Sequence, residues 1–282
     1  MKSVGKHALW AVAVVGLITG TTFASDKVTG RWNFDDPSNG LKAIIGADLV
    51  YGDDGATAAA TQFGTTASFG IADIGGQVAN VMKFPANTPT MGYKMFHGAA
   101  ANGSTNDVNQ YTLIMDILYP ASSTGYRALF QTSDTNANDA DFFVNGSNGI
   151  GISSQYHGNL TPDSWHRVAL VVDLDQADAT KKYTKYIDGA FVGYTDLGSS
   201  GNAGGRWALY PDGSGSPAWI FADEDGETAL GYVNSIQFQN FALSADAIAA
   251  LGGPTAGGIV PEPATVALLA LGLIPLYRRI RR

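Results

Sequence analysis

Cysteine is absent from all 282 residues, which excludes disulfides, a thiolate metal site and a thiol nucleophile. Glutamate is scarce. Only Glu224, Glu227 and Glu262 occur; aspartates could supply a catalytic carboxylate pair, but no pair stands out. Neither a Gly-x-Ser-x-Gly nucleophile elbow nor a phosphate-binding loop appears. His97, His157 and His166 lack His-x-x-x-His metal spacing, and His166 falls in a strand pattern, where a structural role is the expectation. There is no internal repeat, and no composition shift divides residues 25–253.

What is present is clearest at the ends. Lys2 and Lys6 make a positive start, Ala8 to Ile18 form an apolar stretch, and Thr22-Phe23-Ala24 places small residues at the −3 and −1 positions. That layout is a secretory signal over residues 1–24, cleaved after Ala24; the stretch is short for the roughly 20 residues of a membrane span. At the other end, Val260-Pro261-Glu262-Pro263 precedes a 14-residue apolar run, Ala264 to Tyr277, which stops at Arg278, Arg279, Arg281 and Arg282. With snorkelling arginines and Val260 extending its reach, the run is expected to be a transmembrane helix in the inner membrane. Its arginines would stay cytoplasmic and everything before it outside.

Pro261, Glu262 and Pro263, a short apolar helix and a basic terminus, in that order, resemble the PEP-CTERM sorting signal of Gram-negative bacteria. The resemblance implies export, transient membrane retention, processing near the motif by an exosortase, and delivery to the cell surface or extracellular matrix. A simple C-terminal anchor gives the same topology.

Without the two ends, 11 of the 17 basic and 24 of the 25 acidic residues remain, a formal charge of −13. That balance lacks the clustered Lys and Arg a phosphate backbone needs, so nucleic acid is excluded as a partner. It suits solubility outside the cell and leaves room for cations. About 230 residues suffice to bury one core.

Between the ends, short alternating segments are separated by turn residues. Tyr111, Leu113, Met115, Ile117 and Tyr119 share a face, while Thr112 and Asp116 turn away. Val28, Trp32 and Phe34 share another. His166 to Val172 is apolar on both faces after Val168, as a central strand is. Tyr183 to Ile187 reaches Asp188-Gly189 and resumes at Ala190, a hairpin with positive φ at its turn. Tyr232, Ile236 and Phe238 point inward from a further strand. One helix stands out: Ser244 caps Ala245 to Leu251, and Gly252-Gly253 closes it. The pattern predicts an all-β, two-sheet antiparallel sandwich or barrel over residues 25–253, a linker over 254–260, and the tail over 261–282.

Trp165-His-Arg-Val-Ala-Leu-Val-Val-Asp173, Lys185-Tyr-Ile-Asp-Gly189, the closing Phe241 to Leu251 and the opening Gly30-Arg-Trp-Asn-Phe-Asp35 resemble laminin G-like, concanavalin A-like jelly-roll domains. The resemblance implies two antiparallel sheets that bind carbohydrate or protein, often with Ca²⁺. Some relatives on that fold are hydrolases or lyases with a Glu-x-Asp-x-x-Glu strand; here Glu224-Asp-Gly-Glu227 has the wrong spacing.

Asp223, Glu224, Asp225 and Glu227 crowd one turn and repel unless hydration or a hard cation relieves them. They are the candidate Ca²⁺ ligands, with Asp35 or Asp36 as partner; a solvated turn bent at Gly226 is the alternative. Asp134 to Asp141 alternates oxygen-bearing side chains but fails as an EF-hand, with Asp139 at the sixth position and Asn145 at the twelfth, and reads as a loop at a sheet edge. Trp207, Tyr210 and Trp219, beside Arg206 and Asp212, form a candidate sugar-binding group, and Tyr156-His157-Gly-Asn159 offers another; core packing is the alternative. Trp32 and Trp165 belong to the core. The expected function is a non-catalytic surface or matrix-associated module binding extracellular polysaccharide. A hydrolase or lyase using loop aspartates, and a purely structural envelope protein, are the alternatives.

Overall fold

The structure, a computed structural model, describes residues 27–53, 55–86, 92–133 and 140–260. The expected signal (1–24), residues 134–139 of the aspartate-rich loop, and the expected transmembrane tail (261–282) with Pro261, Glu262 and Pro263 lie outside the described residues. Among those described, no helix is long and apolar enough to cross a membrane.

The described chain runs β1 (Val28–Trp32), β2 (Val50–Tyr51), α1 (Ala56–Ala60), β3 (Gln62–Thr65), α2 (Thr66–Phe69), β4 (Asn80–Phe84), β5 (Tyr93–Met95) and β6 (Gln110–Leu118). It continues through β7 (Arg127–Gln131), β8 (Asp141–Val144), β9 (Ile150–Gly151), β10 (His166–Asp173) and β11 (Tyr183–Ile187). Then come β12 (Ala190–Thr195), β13 (Ala218–Ile220), β14 (Gly231–Gln239) and α3 (Ala245–Leu251). The eight-stranded sheet has the order β12-β11-β10-β6-β14-β4-β3, with β1 also on β14; the six-stranded sheet has the order β2-β5-β13-β7-β8-β9. All these pairs are antiparallel. The helices α1 and α2, five and four residues long, are too short to leave a helical period in the sequence.

The period-2 pattern of β6 decides its two faces. Tyr111, Leu113, Met115 and Ile117 enter the core with Leu170 of β10, Ile236 and Phe238 of β14, and Leu129, Phe142 and Ile220 of the opposite sheet. The two sheets therefore share one core and form a sandwich. The Asp188-Gly189 turn has φ values of 52° and 80°, as the sequence pattern requires. Ser244 accepts the Ala247 N–H and caps α3. Gly30 has its own reason: a Cβ there would stand 2.3 Å from the Trp32 ring.

The other face of β6 departs from expectation. Asp116 turns away from the core, yet it is fully buried, because the chain from Phe241 to Ile259 lies over the outer face of the eight-stranded sheet. Arg167 of β10 grips Asp116 with Nε to Oδ1 at 2.7 Å and Nη2 to Oδ2 at 2.8 Å. Ser235 of β14 donates to Asp116 at 3.2 Å. Arg167 Nη1 donates to the Leu251 carbonyl at 2.5 Å, and Nη2 reaches the Gly258 carbonyl at 3.5 Å. Thr112 accepts the Leu243 N–H and donates to the Phe241 carbonyl, both at 2.9 Å.

Two sequence expectations are corrected here. Residues 254–260 are a packed strap: Ile259 is fully buried and Thr255 donates to the Gly258 carbonyl at 2.6 Å. Tyr232 does not point inward; a bulge between Val233 and Ser235 shifts the alternation by one residue, so Val233 enters the core and Tyr232 packs on Val81 and Leu118. Trp32 is buried as expected. Trp165 is half-buried at the side, donating to the Ala72 carbonyl at 2.7 Å. His166 is structural: its Nε2 accepts the Thr161 N–H at 2.9 Å, and Nδ1 donates to Asp188 at 2.7 Å.

The described residues from 27 to 260 share a core of their own, so a chain from 25 to 260 is expected to fold on its own. Ending it at 253 instead removes Ile259 and one of the Arg167 acceptors. Urea unfolding should then show a loss of about 2–4 kcal/mol; equal midpoints for the two chain ends would show that the strap carries no stability.

Candidate functional site

The outer face of the six-stranded sheet gathers aromatic rings and carboxylates. In β8, Phe142 enters the core, so alternation sends Phe143 to the opposite face. There the Phe143 ring meets Tyr126 edge-on at 6.4 Å, and Tyr126 lies 5.8 Å from Tyr156. Tyr126 is 46% exposed and Tyr156 is half-buried. Arg127 secures the flanking loops. Its guanidinium donates to the carbonyls of Ser123 at 3.1 Å and Asn145 at 2.6 Å, and to Asn148 Oδ1 at 2.8 Å.

The acidic turn lies beside these rings. Phe221, at φ 52°, leaves β13 in a left-handed conformation, with its ring stacked on Phe84 at 3.8 Å. That costs about 1–3 kcal/mol of backbone strain and redirects the chain into Ala222-Asp223. Asp223 is buried; its Oδ2 accepts the N–H groups of Asp225 at 3.0 Å and Glu227 at 2.7 Å. Glu224 accepts from Gln131 of β7 at 2.6 Å. The Glu227 carbonyl accepts the Ala128 N–H at 2.8 Å, docking the turn on β7.

The electrostatics link the two groups. Burial raises the Tyr156 hydroxyl above its usual range, helped by the charges of Tyr126, Glu227 and Asp141. Tyr156 therefore stays a neutral phenol, a hydrogen-bond donor beside acceptor-only carboxylates. Glu227 is raised too, first by burial and then by Asp223, Asp225 and Glu224.

The structure thus joins Tyr156 of the predicted sugar set to the predicted cation turn. Backbone N–H groups and Gln131 donate to the carboxylates of this turn. Among the described residues, no group of three or more His, Cys, Asp or Glu side chains is arranged to hold a metal ion. Asp35 lines a different hollow with Asp36, away from residues 223–227.

The remaining predicted sugar residues separate. Trp207 is in the core, edge-on to Tyr183 at 4.9 Å, and its carbonyl accepts from the buried Tyr111 hydroxyl at 3.0 Å. Trp219 faces away from the core but is only 4% exposed, lying against Gly52 with the Lys94 ammonium 5.1 Å above its ring. Neither tryptophan offers an open face. Tyr210 is 53% exposed and shares a hollow of about 210 Å³ with Arg206, Asp107 and Thr132. Asp212, at φ 57°, instead accepts the Ser214 N–H at 2.6 Å. His157 contacts the buried Lys185 ammonium at 2.9 Å.

Sequence reasoning missed Tyr126, Gln131 and Phe143. The signal available was the Phe142-Phe143 doublet: in a strand, one of two adjacent rings must leave the core.

Against known proteins, residues 260–282 match the PEP-CTERM protein-sorting motif. No curated protein matches the chain in sequence. Among solved structures, domain 4 of AbnA, an extracellular arabinanase of Geobacillus stearothermophilus solved with arabinotriose, is 14% identical at a TM-score of 0.50, covering 79% of this chain and 97% of that one. Trypanosoma rangeli sialidase in complex with 2,3-difluorosialic acid is 15% identical at a TM-score of 0.50, covering 80% of this chain. The chain spans only 33% of that sialidase. At these identities the likeness establishes the fold alone. The chain carries a PEP-CTERM sorting motif that marks it for export and exosortase processing, and the domain before that motif is a two-sheet antiparallel β-sandwich.

Proposed function

We propose that this protein is an exported surface or matrix module that binds neutral extracellular polysaccharide without cleaving it. The sandwich is read as a laminin G-like jelly roll, held at the inner membrane by the 261–282 helix until processing. One observation carries the reading: Tyr126 and the half-buried Tyr156 bring their rings together over the buried Phe143, beside Glu227 and Asp141. Sugar C–H faces stack on such rings, and sugar hydroxyls pair with a phenol donor and carboxylate acceptors. The acidic surroundings repel anionic polymers. The arabinotriose bound by the arabinanase domain of the same fold supports the class of ligand.

A second reading, a polysaccharide hydrolase, draws on Glu227. A carboxyl raised by burial and like charges has the protonation a general acid needs. Binding is preferred because those same like charges account for the shift structurally, with no substrate involved. Incubating the chain with neutral polysaccharides and assaying reducing ends separates the two. No release is expected; release abolished by Glu227→Gln would establish the enzyme instead.

For binding, a glycan array and calorimetry on residues 25–260 should find neutral oligosaccharides, arabinotriose being the first to try. Tyr156→Ala should weaken that binding about 5- to 100-fold, equivalent to about 1–3 kcal/mol, while Trp207→Phe leaves the affinity unchanged. No glycan bound, or an unaltered Tyr156→Ala, would remove the reading.

The acidic turn makes two further predictions. With Asp223 satisfied by backbone donors, a chelator should leave the melting temperature unchanged; a fall of several degrees would reveal a structural Ca²⁺ on Asp223, Glu224, Asp225 or Glu227. Because Glu227 is raised on folding, its contribution is favourable when protonated and is lost as pH rises through its folded value. Glu227→Gln should therefore raise the melting temperature at pH 7, with the gain vanishing as pH falls below the ordinary glutamate range. A gain that persisted there would show that charge repulsion is not the cause.

A further inference from the structure

A second hollow, of about 570 Å³, opens where the end strands of both sheets come together. Tyr51 of β2, the last strand of the six-stranded sheet, lines one part of it. Phe63 and Thr65 of β3, the last strand of the eight-stranded sheet, line another. Asn80 and the loop from Phe34 to Gly40 complete it. Its volume falls in the range of small-molecule sites, roughly 300–1,000 Å³.

The hollow is built. Phe34 is buried at φ 56°, a conformation a bulky residue adopts only under constraint, and it turns the chain out of β1 into the loop. Asp36 then fixes the loop, accepting the N–H groups of Ser38 at 2.8 Å and Asn39 at 3.1 Å and the Lys42 ammonium at 2.7 Å. Lys42 and Ser38 hold the Asp36 carboxyl far below its usual range, so the clasp persists into acid. Asn39 donates to Asp48 at 2.9 Å. With Asp36 so engaged, Asp35 is the exposed carboxylate of the lining. Phe63 is seated by Gly40, where a Cβ would stand 2.5 Å from the ring, and 39% of Phe63 stays exposed.

A seated, exposed ring, a carboxylate, an amide at Asn80 and a hydroxyl at Thr65 are complementary to a polyhydroxylated ring with an apolar face. Among the described residues the lining holds no Lys or Arg, and Lys42 behind it is paired with Asp36, so the hollow disfavours phosphate, sulfate or uronate. We infer that this hollow is a second saccharide site, which makes the exported domain bivalent for neutral polysaccharide. The bivalence, though not the hollow, rests on the reading of the Tyr126–Tyr156 face. In the six-stranded sheet β2 and β8 are four strands apart, about 19 Å at the usual spacing. A short oligosaccharide in one site therefore leaves the other open, and separate polymer chains can be held together with the gain of multivalency.

The test is titration of residues 25–260 with neutral trisaccharides (arabinotriose, cellotriose and laminaritriose), then mixing with the parent polysaccharide of whichever binds. The expected stoichiometry is two per chain. Phe63→Ala or Tyr156→Ala should each leave one, the double variant none, and only the unaltered chain should cross-link the polymer into a turbid network. Asp35→Asn, at an exposed carboxylate, should weaken the same site as Phe63→Ala and guards against a folding artefact. A stoichiometry of one, lost with Tyr156→Ala and untouched by Phe63→Ala and Asp35→Asn, overturns the second site and leaves the proposed function standing. A single site lost only with Phe63→Ala keeps the hollow and overturns both the Tyr156 face and bivalence. No binding by any trisaccharide overturns the hollow and the proposed function together.

Discussion

Asp116 and Arg167 sit opposite each other on β6 and β10, fully buried, and neither could be there alone. An unpaired buried charge costs several kcal/mol, and a bidentate pair recovers it only when the remaining donors and lone pairs are also satisfied. Ser235 takes the extra demand of Asp116, and the Leu251 and Gly258 carbonyls take that of Arg167. The pair thus obliges the chain to return after β14 and lay its closing helix and strap over the eight-stranded sheet. Covering that face is what makes it dry, and dryness in turn makes the pair strong. One consequence is spatial: the strap covers the eight-stranded sheet, while Tyr126, Tyr156 and the acidic turn lie against the six-stranded one. Another concerns export. The sorting motif begins at residue 260, directly after the buried Ile259, so the strap belongs to the folded domain up to the point where the signal starts.

The rings and the acidic turn depend on the core in a different way. Phe221 spends backbone strain to place its ring on Phe84 and, by doing so, aims Asp223 back at its own loop. The turn is then anchored on β7 by the Ala128–Glu227 bond and by Gln131. Rigid strands carry both Phe143 and Gln131, and Arg127 holds the loops around Tyr126. The proposed site is therefore set by the sheet, and its rings and carboxylates are held in place by strand and loop contacts.

Much of the fold was legible because alternation, turn chemistry and capping are local. The β6 face, the Asp188-Gly189 hairpin and the Ser244-capped helix needed only neighbouring residues. What failed needed distant ones. Asp116 and Arg167 look like solvent-facing positions until residues 241–259, over a hundred positions from Asp116, are laid across them. Pro254 to Val260 has the composition of a linker, but one buried isoleucine and one guanidinium turn it into a strap. A single bulge at Asn234 inverted Tyr232. For the site, Tyr156 and the acidic turn could each be singled out from sequence, but not their proximity. Trp207 and Trp219 misled because an aromatic in a Gly-rich loop carries no local mark of whether the core will take it.

The guanidinium of Arg167 fastens the closing segment to the sheet. Hydrogen exchange in a chain carrying both Asp116→Leu and Arg167→Met measures that fastening. Removing both charges together leaves no unpaired ion, so the sandwich keeps its fold. Exchange in residues 247–259 should become at least tenfold faster, with β6, β10 and β14 still protected. Unchanged protection of that segment would contradict it, and would show that apolar packing of Ile248, Leu251 and Ile259 holds the strap without the ion pair.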